Sequence, residues 1–308
     1  MEYSRKKSLR ASLLLTLTAL IWGTAFVAQS EGMNYVGGFT FIAVRYLIGG
    51  TVLIPCIFFL RKLNADQWEK MSDEEHKKQD KTGIIGGICC GTVLCLASSL
   101  QQFGIAFTTV GKAGFITALY IVIVPLFGLF LKKKVGLNIW ISVAIAAVGM
   151  YLLCITEGFS IGKGDFLVLL CAVAFSLHIL VIDYFSPKAD GVLISCVQFF
   201  TAGVIGTVLM FLYEQPTFTA ILSAWAPILY AGVLSSGVAY TLQVVAQKDI
   251  DPTIASLIMS LESVFSLLAG WVLLGQKLST KELSGCVLVF AAIILAQIPT
   301  GVFRKKKA

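Results

Sequence analysis

Apolar residues fill this chain in ten long blocks, broken by short polar clusters. The blocks run at about 9–28, 38–60, 83–107, 112–131, 136–154, 164–183, 191–213, 225–247, 252–274 and 281–299. Each is close to the ~20 apolar residues that a helix needs to cross a bilayer. The pattern predicts ten membrane spans, with no soluble domain between them. The longest polar stretch, Arg61 to Lys81, carries six acidic and six basic residues. It is expected to form a short surface helix in a cytoplasmic loop, 61–81, with Trp68 and Met71 dipping toward the headgroups. Arg5, Lys6, Lys7 and Arg10 ahead of the first block give it the outline of a signal peptide. The block is long enough to span, and it has a counterpart in the second half of the chain.

Composition points the same way. Of 308 residues 57% are apolar and 13% charged, against about 45–50% and about 25% in soluble domains. That excludes an ordinary soluble enzyme. The formal charge is +7, but the basic residues sit in clusters between apolar runs. No basic face interleaved with aromatics is present, so nucleic acid is not an expected partner. The clusters set an orientation instead. With the N-terminus in the cytoplasm, 19 basic residues fall inside and four outside, namely Lys112, Lys163, Lys277 and Lys281. Ten spans then place both termini in the cytoplasm. Lys305 and Lys306 also fit a dilysine retrieval pattern, but a basic cytoplasmic tail accounts for them. The eight cysteines lie in or beside apolar runs, without a CxxC. They are expected as small buried apolar residues, not as disulfides or metal ligands.

The chain carries an internal repeat. A shift of 153 residues lays Ala19-Leu20-Ile21-Trp22 on Ala172-Val173-Ala174-Phe175, Gly23 on Ser176, Arg45 on Gln198 and Gly50 on Gly203. A shift of 142 lays Leu100-Gln101 on Leu242-Gln243, Ala113 on Ala255, Tyr120 on Glu262 and Ser142 on Ser284. The difference between the shifts matches the extra length of the 61–81 loop. Five spans per half is an odd number, so the second half enters from the opposite side. The expected fold is an all-α integral membrane protein of ten transmembrane helices, arranged as two inverted five-helix repeats, 1–155 and 156–308. Such repeats build carriers whose site lies near the bilayer midplane. By helical rise, Tyr120 and Glu262 lie roughly 12 and 16 Å from opposite faces of a core about 30 Å thick, both near its middle.

TALIWGT at Thr18–Thr24, GKAGFITALYIVIVP at Gly111–Pro125 and LIMSLESVF at Leu257–Phe265, in this order on ten spans, resemble the drug/metabolite transporter superfamily, EamA type. The resemblance covers about residues 9–299. It implies a multi-pass carrier, commonly an exporter, of a small metabolite or drug-like molecule in the bacterial inner membrane. It also implies a central cavity lined by the first four helices of each half. Relatives often place Pro after the Glu of the ninth helix, where this chain has Ser263. A kink there is therefore not expected from the family pattern.

No catalytic motif is present: no G-x-x-x-x-G-K-[ST], no H-E-x-x-H and no G-x-S-x-G. The sequence calls for no cofactor and no metal. Three ionisable residues lie deep in spans, where each is costly and points to function. Glu262 shares a stripe of small residues with Ala255, Met259, Ser266 and Ala269. It suits a proton or substrate-amine site, or a carboxyl hydrogen-bonded to a neighbouring helix. Arg45 suits a structural bond to carbonyls or a bidentate grip on a substrate carboxylate. His178 suits packing better than a proton relay. Gly232, Ser236, Tyr240, Gln243 and Gln247 form a polar stripe on helix eight, and Gln101 is the repeat mate of Gln243. Trp22, Tyr120 and Phe175 are candidate aromatic walls. Gly83, Gly87 and Gly91 predict a close helix contact.

These residues make a secondary carrier for a small-molecule substrate, with a proton as a candidate second cargo, surrounded by membrane lipid. A channel would favour a continuous polar pore, whereas the polar residues gather at mid-depth. A membrane enzyme would need a cluster of nucleophile, base and ligands.

Overall fold

Within a membrane, a helix is the economical way to satisfy backbone groups, and the chain uses little else. The structure, a computed structural model, describes residues 2–63, 72–108, 110–130, 132, 135–154, 162–274 and 279–297. Among them there is no strand. The elements are α1 (Glu2–Gly32), α2 (Gly38–Leu63), α3 (Asp73–Ile105), α4 (Val110–Thr117), α5 (Tyr120–Phe130), α6 (Leu137–Cys154), α7 (Lys163–Phe185) and α8 (Gly191–Tyr213). After the short α9 (Phe218–Ser223) come α10 (Trp225–Gln247), α11 (Pro252–Met259), α12 (Leu261–Leu274) and α13 (Thr280–Gln297).

By length and composition, nine segments among the described residues can cross a membrane. The fourth of them, Ala113–Phe130, joins α4 to α5, and the helix that α11 begins supplies another, Pro252–Ala269. The fifth expected span is α6, whose apolar stretch, Leu137–Leu152, is shorter than the rest. Large apolar side chains such as Phe58, Phe130, Phe211, Val287 and Ile294 are exposed, as a bilayer requires.

The loop 61–81 differs from the expectation where it is described. Residues from Asp73 onward belong to α3, which runs straight into the span. Ser72 and Glu75 form a capping box, and Asp73, Glu74 and Glu75 occupy the positive end of the helix. No Gly or Pro separates Asp73 from Gly83, so nothing stops the helix. Trp68 and Met71 lie outside the described residues.

Packing follows the small residues. α3 lies between α7 and α8, and α10 lies between α1 and α2. α2 crosses α8, and α6 pairs with α13. Gly83, Gly87 and Gly91 all face α8: an added Cβ would meet Leu193 at 2.9 Å, Val197 at 2.5 Å and the Gln198 carbonyl at 2.5 Å. Where α2 crosses α8 the contacts are reciprocal. Gly50 meets the ring of Phe200, and Gly203 meets Leu47. At the same crossing Tyr46 stacks on Phe199, with centroids 5.8 Å apart and planes 6° from parallel.

Two spans are broken at matching depth. The first break falls at Ala118–Leu119, between α4 and α5, and the second at Ser260, between α11 and α12. Tight turns bridge both: Leu119 N donates to Ile116 O at 3.1 Å, Ile121 N to Ala118 O at 3.0 Å and Ser263 N to Ser260 O at 3.2 Å. The span formed by α11 and α12 therefore bends with Ser263, not a proline, after Glu262. Ser256 and Ser260 donate their hydroxyls to Thr253 O and Leu257 O, back-bonding that bends helices. In the fourth span Pro125 removes one helical donor.

The glycine contacts make a paired prediction. Gly91→Ala forces Cβ against backbone of α8, which cannot yield, and should cost about 1–3 kcal/mol. Gly114→Ala meets only Ser263 Oγ, at 3.8 Å, and should be neutral or slightly stabilising. Thermal unfolding in detergent checks this; equal melting temperatures for the two variants would rule out the α3–α8 contact.

Candidate functional site

The breaks expose the ends of half-helices, and a cavity lies against them. Its lining comes from both halves of the chain. α1 contributes Trp22, Phe26 and Gln29; α2 Arg45; α3 Gln101; α4 Thr117; α5 Tyr120. From the second half come Phe175 and His178 on α7, Ser235, Tyr240 and Gln243 on α10, Met259 on α11 and Glu262 on α12. The empty volume is about 490 Å³, yet a water molecule's centre fits in only about 40 Å³ of it. That smaller space holds roughly three waters. The cavity is narrow, and its mostly apolar wall carries a few polar and charged groups.

Tyr120 sits at the start of α5 and Glu262 in the first turn of α12. The two breaks thus bring together the two residues that the shift of 142 aligns, and the Tyr120 hydroxyl donates to Glu262 Oε1 at 3.1 Å. Gly23 lets α1 close over this point: a Cβ there would lie 2.7 Å from the Glu262 carbonyl oxygen. Glu262 is 4% exposed. Its other carboxyl oxygen makes no protein hydrogen bond, and it is not among the sealed, unpartnered polar atoms. It therefore borders the open part of the cavity.

Arg45 is 2% exposed and makes no ion pair among the described residues. Its Nη2 donates to Tyr46 Oη at 2.8 Å, and its guanidinium carbon stands 4.5 Å from the Tyr46 ring centre. Tyr46 in turn pairs with Ser98 Oγ. Arg45 Nε has no protein partner. His178 Nε2 bonds Gln198 Oε1 at 3.1 Å, and the ring meets Tyr240 edge-on at 6.0 Å. Trp22 packs on Tyr240 at 4.5 Å and donates its Nε1 to Ser235 O at 3.3 Å. Gln101 Nε2 donates to Thr117 Oγ1 at 3.3 Å. Gln243 Nε2 donates to Gln247 Oε1 at 2.9 Å, leaving Gln243 Oε1 unpartnered, as is Gln29 Oε1.

The cavity gathers Trp22, Arg45, Gln101, Tyr120, His178, Tyr240, Gln243 and Glu262. It does not gather Ser236, which is fully buried and packs against Gly49 of α2. The reason is local winding. Residues Tyr230–Tyr240 of α10 form a π-helix, whose wider turn shifts the face by about one residue. Ser235 takes the lining position that an α-helical stripe assigns to Ser236. The same shift turns Gly232 toward Ile48 of α2, while Gln247 reaches Ile179 O on α7 at 3.2 Å. Gln29 and Thr117 were missed as well. Both carried a signal: Gln29 follows Trp22 by seven residues on the same helix face, and Thr117 precedes Tyr120 by three.

Residues 9–155 and 162–297 each match the EamA-like transporter family. The chain belongs to that family. It is accordingly a transporter-family membrane protein with several apolar helices, and not an enzyme. An uncharacterized transporter of Archaeoglobus fulgidus is 28% identical over 293 residues, 95% of this chain and 87% of that one. The uncharacterized transporter YoaV of Bacillus subtilis is 21% identical, over 90% of this chain and 92% of its own. An uncharacterized transporter of Methanothermobacter thermautotrophicus is 26% identical over 82% of this chain and 76% of its own. A solved crystal structure superposes with a TM-score of 0.77 at 17% identity, covering 96% of this chain and 99% of that one. The fold of this EamA-family chain is thus shared with a known structure.

The π-helix yields a sharp test. With exposed Cys56 and Cys89 replaced by Ser, Ser235→Cys should react with a small methanethiosulfonate at least tenfold faster than Ser236→Cys. The reverse order would mean that α10 is wound as an α-helix.

Proposed function

We propose that this transporter is a secondary carrier that moves a small metabolite by alternating access, in a cell membrane with both termini cytoplasmic. On this reading α6, the fifth span, brings the count to ten, and residues 1–155 and 156–308 are inverted repeats. The doubled family match, at 9–155 and 162–297, supports that division. So do the reciprocal contacts of Gly50 with Phe200 and Gly203 with Leu47, the self-complementary pattern of a two-fold axis. The distribution of basic residues supports the orientation, and the family resemblance favours export.

The observation that carries the mechanism is the cavity. It is lined by both halves, lies at the two helix breaks, and has space for little more than water. A solute fits only if the halves part, which is what distinguishes a carrier from an open pore. The lining also indicates what kind of solute. Arg45 offers a cation with no acidic partner, and Glu262 offers a carboxyl oxygen with no donor. Trp22 and Tyr240 offer an aromatic wall. A small molecule bearing an anionic group and an amine satisfies both ends at once. In that arrangement Glu262 holds the amine or, alternatively, carries a proton that is exchanged against the substrate.

Purified protein should be stabilised against heat by such dipolar solutes and not by matched sugars; a ligand at 100 times its Kd adds about 2.7 kcal/mol. In proteoliposomes Glu262→Gln should keep the fold and abolish pH-dependent uptake. Counterflow survives in that variant if Glu262 carries only the proton, and fails if it holds the substrate. Wild-type rate and pH profile in Glu262→Gln would reduce this carboxyl to a packing group.

A further inference from the structure

The two ends of the α2–α8 crossing are held differently. At one end, α2 is preceded by Gly37, a residue with no side chain to cap the helix, although its carbonyl already accepts from Phe41 N at 2.9 Å. The cap comes from the other half of the chain. Glu214, the residue that closes α8, accepts from Phe39 N at 2.8 Å and from Thr40 N at 2.8 Å, and takes the Thr40 hydroxyl at 2.6 Å. Those amides are the ones an N-cap side chain ordinarily takes. Bonds to a carboxylate are about twice as strong as neutral ones. Space is reserved for it as well: a Cβ on Gly37 would lie 2.3 Å from the Glu214 carboxyl.

The shift of 153 gives the equivalents at the opposite end. Gly37 falls on Asp190, and Glu214 falls on Arg61. Asp190 caps its own helix, accepting from Val192 N at 2.8 Å. Arg61 turns to Asp80 of α3, within its own half, at 2.8 Å. One end of the crossing is therefore tied between halves, and at the other each helix looks after itself.

We infer that Glu214 is the latch of one gate: its carboxylate ties the start of α2 to the end of α8 and biases the carrier toward closure at that end. In the proposed orientation this is the outward end. The inference rests on the alternating-access reading. α2 and α8 are pinned at mid-depth by Gly50 and Gly203, so their ends can splay about that point. Opening outward breaks three hydrogen bonds to Glu214, and no carboxylate tie of that kind between α2 and α8 occurs at the inward end among the described residues.

The test needs no substrate. In whole cells with Cys56 and Cys89 replaced by Ser, a Ser235→Cys reporter is labelled from outside with a membrane-impermeant thiol reagent. Glu214→Gln should raise the external rate about tenfold. The double variant Glu214→Ala with Gly37→Asp separates a latch from a helix cap, because Asp at 37 restores the cap as Asp190 does but not the tie. It should recover thermal stability and keep the fast labelling. It also carries the test if Glu214→Gln fails to fold. An external rate that stays at the wild-type value in the folded variants, or that returns to it along with stability, overturns the latch. A reporter reached from both faces at once in wild type would instead sink the carrier reading, while a rise confined to the outer face in Glu214→Gln would still uphold the latch.

Discussion

Hydrocarbon supplies no hydrogen bonds, and each departure from a straight α-helix in this chain answers to that fact. The breaks at Ala118–Leu119 and Ser260 keep their amides busy with tight-turn bonds. The π-helical stretch of α10 is covered by α1 and α2, and α1 donors reach its carbonyls: Thr18 Oγ1 to Ala239 O at 3.1 Å and Trp22 Nε1 to Ser235 O. Much of this irregular backbone is buried against neighbouring helices. The cavity lies there because backbone that is not strictly helical is tolerable nowhere else.

Polarity is concentrated in the same place, but unevenly. Positions related by the repeat carry different chemistry: Arg45 corresponds to Gln198, and Glu262 to Tyr120. The Glu262 and Tyr120 side chains nevertheless touch, as Tyr120 donates to Glu262, and the equivalent Tyr46 and Phe199 stack. On the proposed inverted-repeat reading, equivalent positions meet at a common axis. Divergence in sequence then puts a charge on one side of the axis and a neutral partner on the other. A symmetric arrangement would set two like charges against each other in a poorly solvated space, which is costly.

The apolar blocks made the spans legible, because the length of an apolar run is fixed by membrane thickness. The charged positions in the cavity were legible for a related reason: a buried ion in a span is too costly to be incidental. Ser235 was not legible. Assigning faces by an α-helical period presumes α-helical winding, and nothing in YAGVLSSGVAY announces a π-helix. The break at Ser260 was hidden because serine back-bonding, unlike proline, leaves no strong mark on a sequence. The role of Glu214 was hidden because it caps a helix 175 residues away in the chain, a relation that no local pattern records.

The three-glycine seam of α3 also determines which parts can travel together. Gly83, Gly87 and Gly91 bring α3, a helix of the first half, into backbone contact with α8 of the second. α10, a helix of the second half, is wedged between α1 and α2 of the first. A motion that preserves these tight seams cannot swing repeat against repeat. It divides the molecule into two mixed bundles, α3 with α7 and α8, and α10 with α1 and α2. The covalent boundary between the repeats is then not the mechanical one. On the proposed alternating-access reading, the segment that joins α8 to α10 runs from one bundle to the other and has to absorb their relative motion.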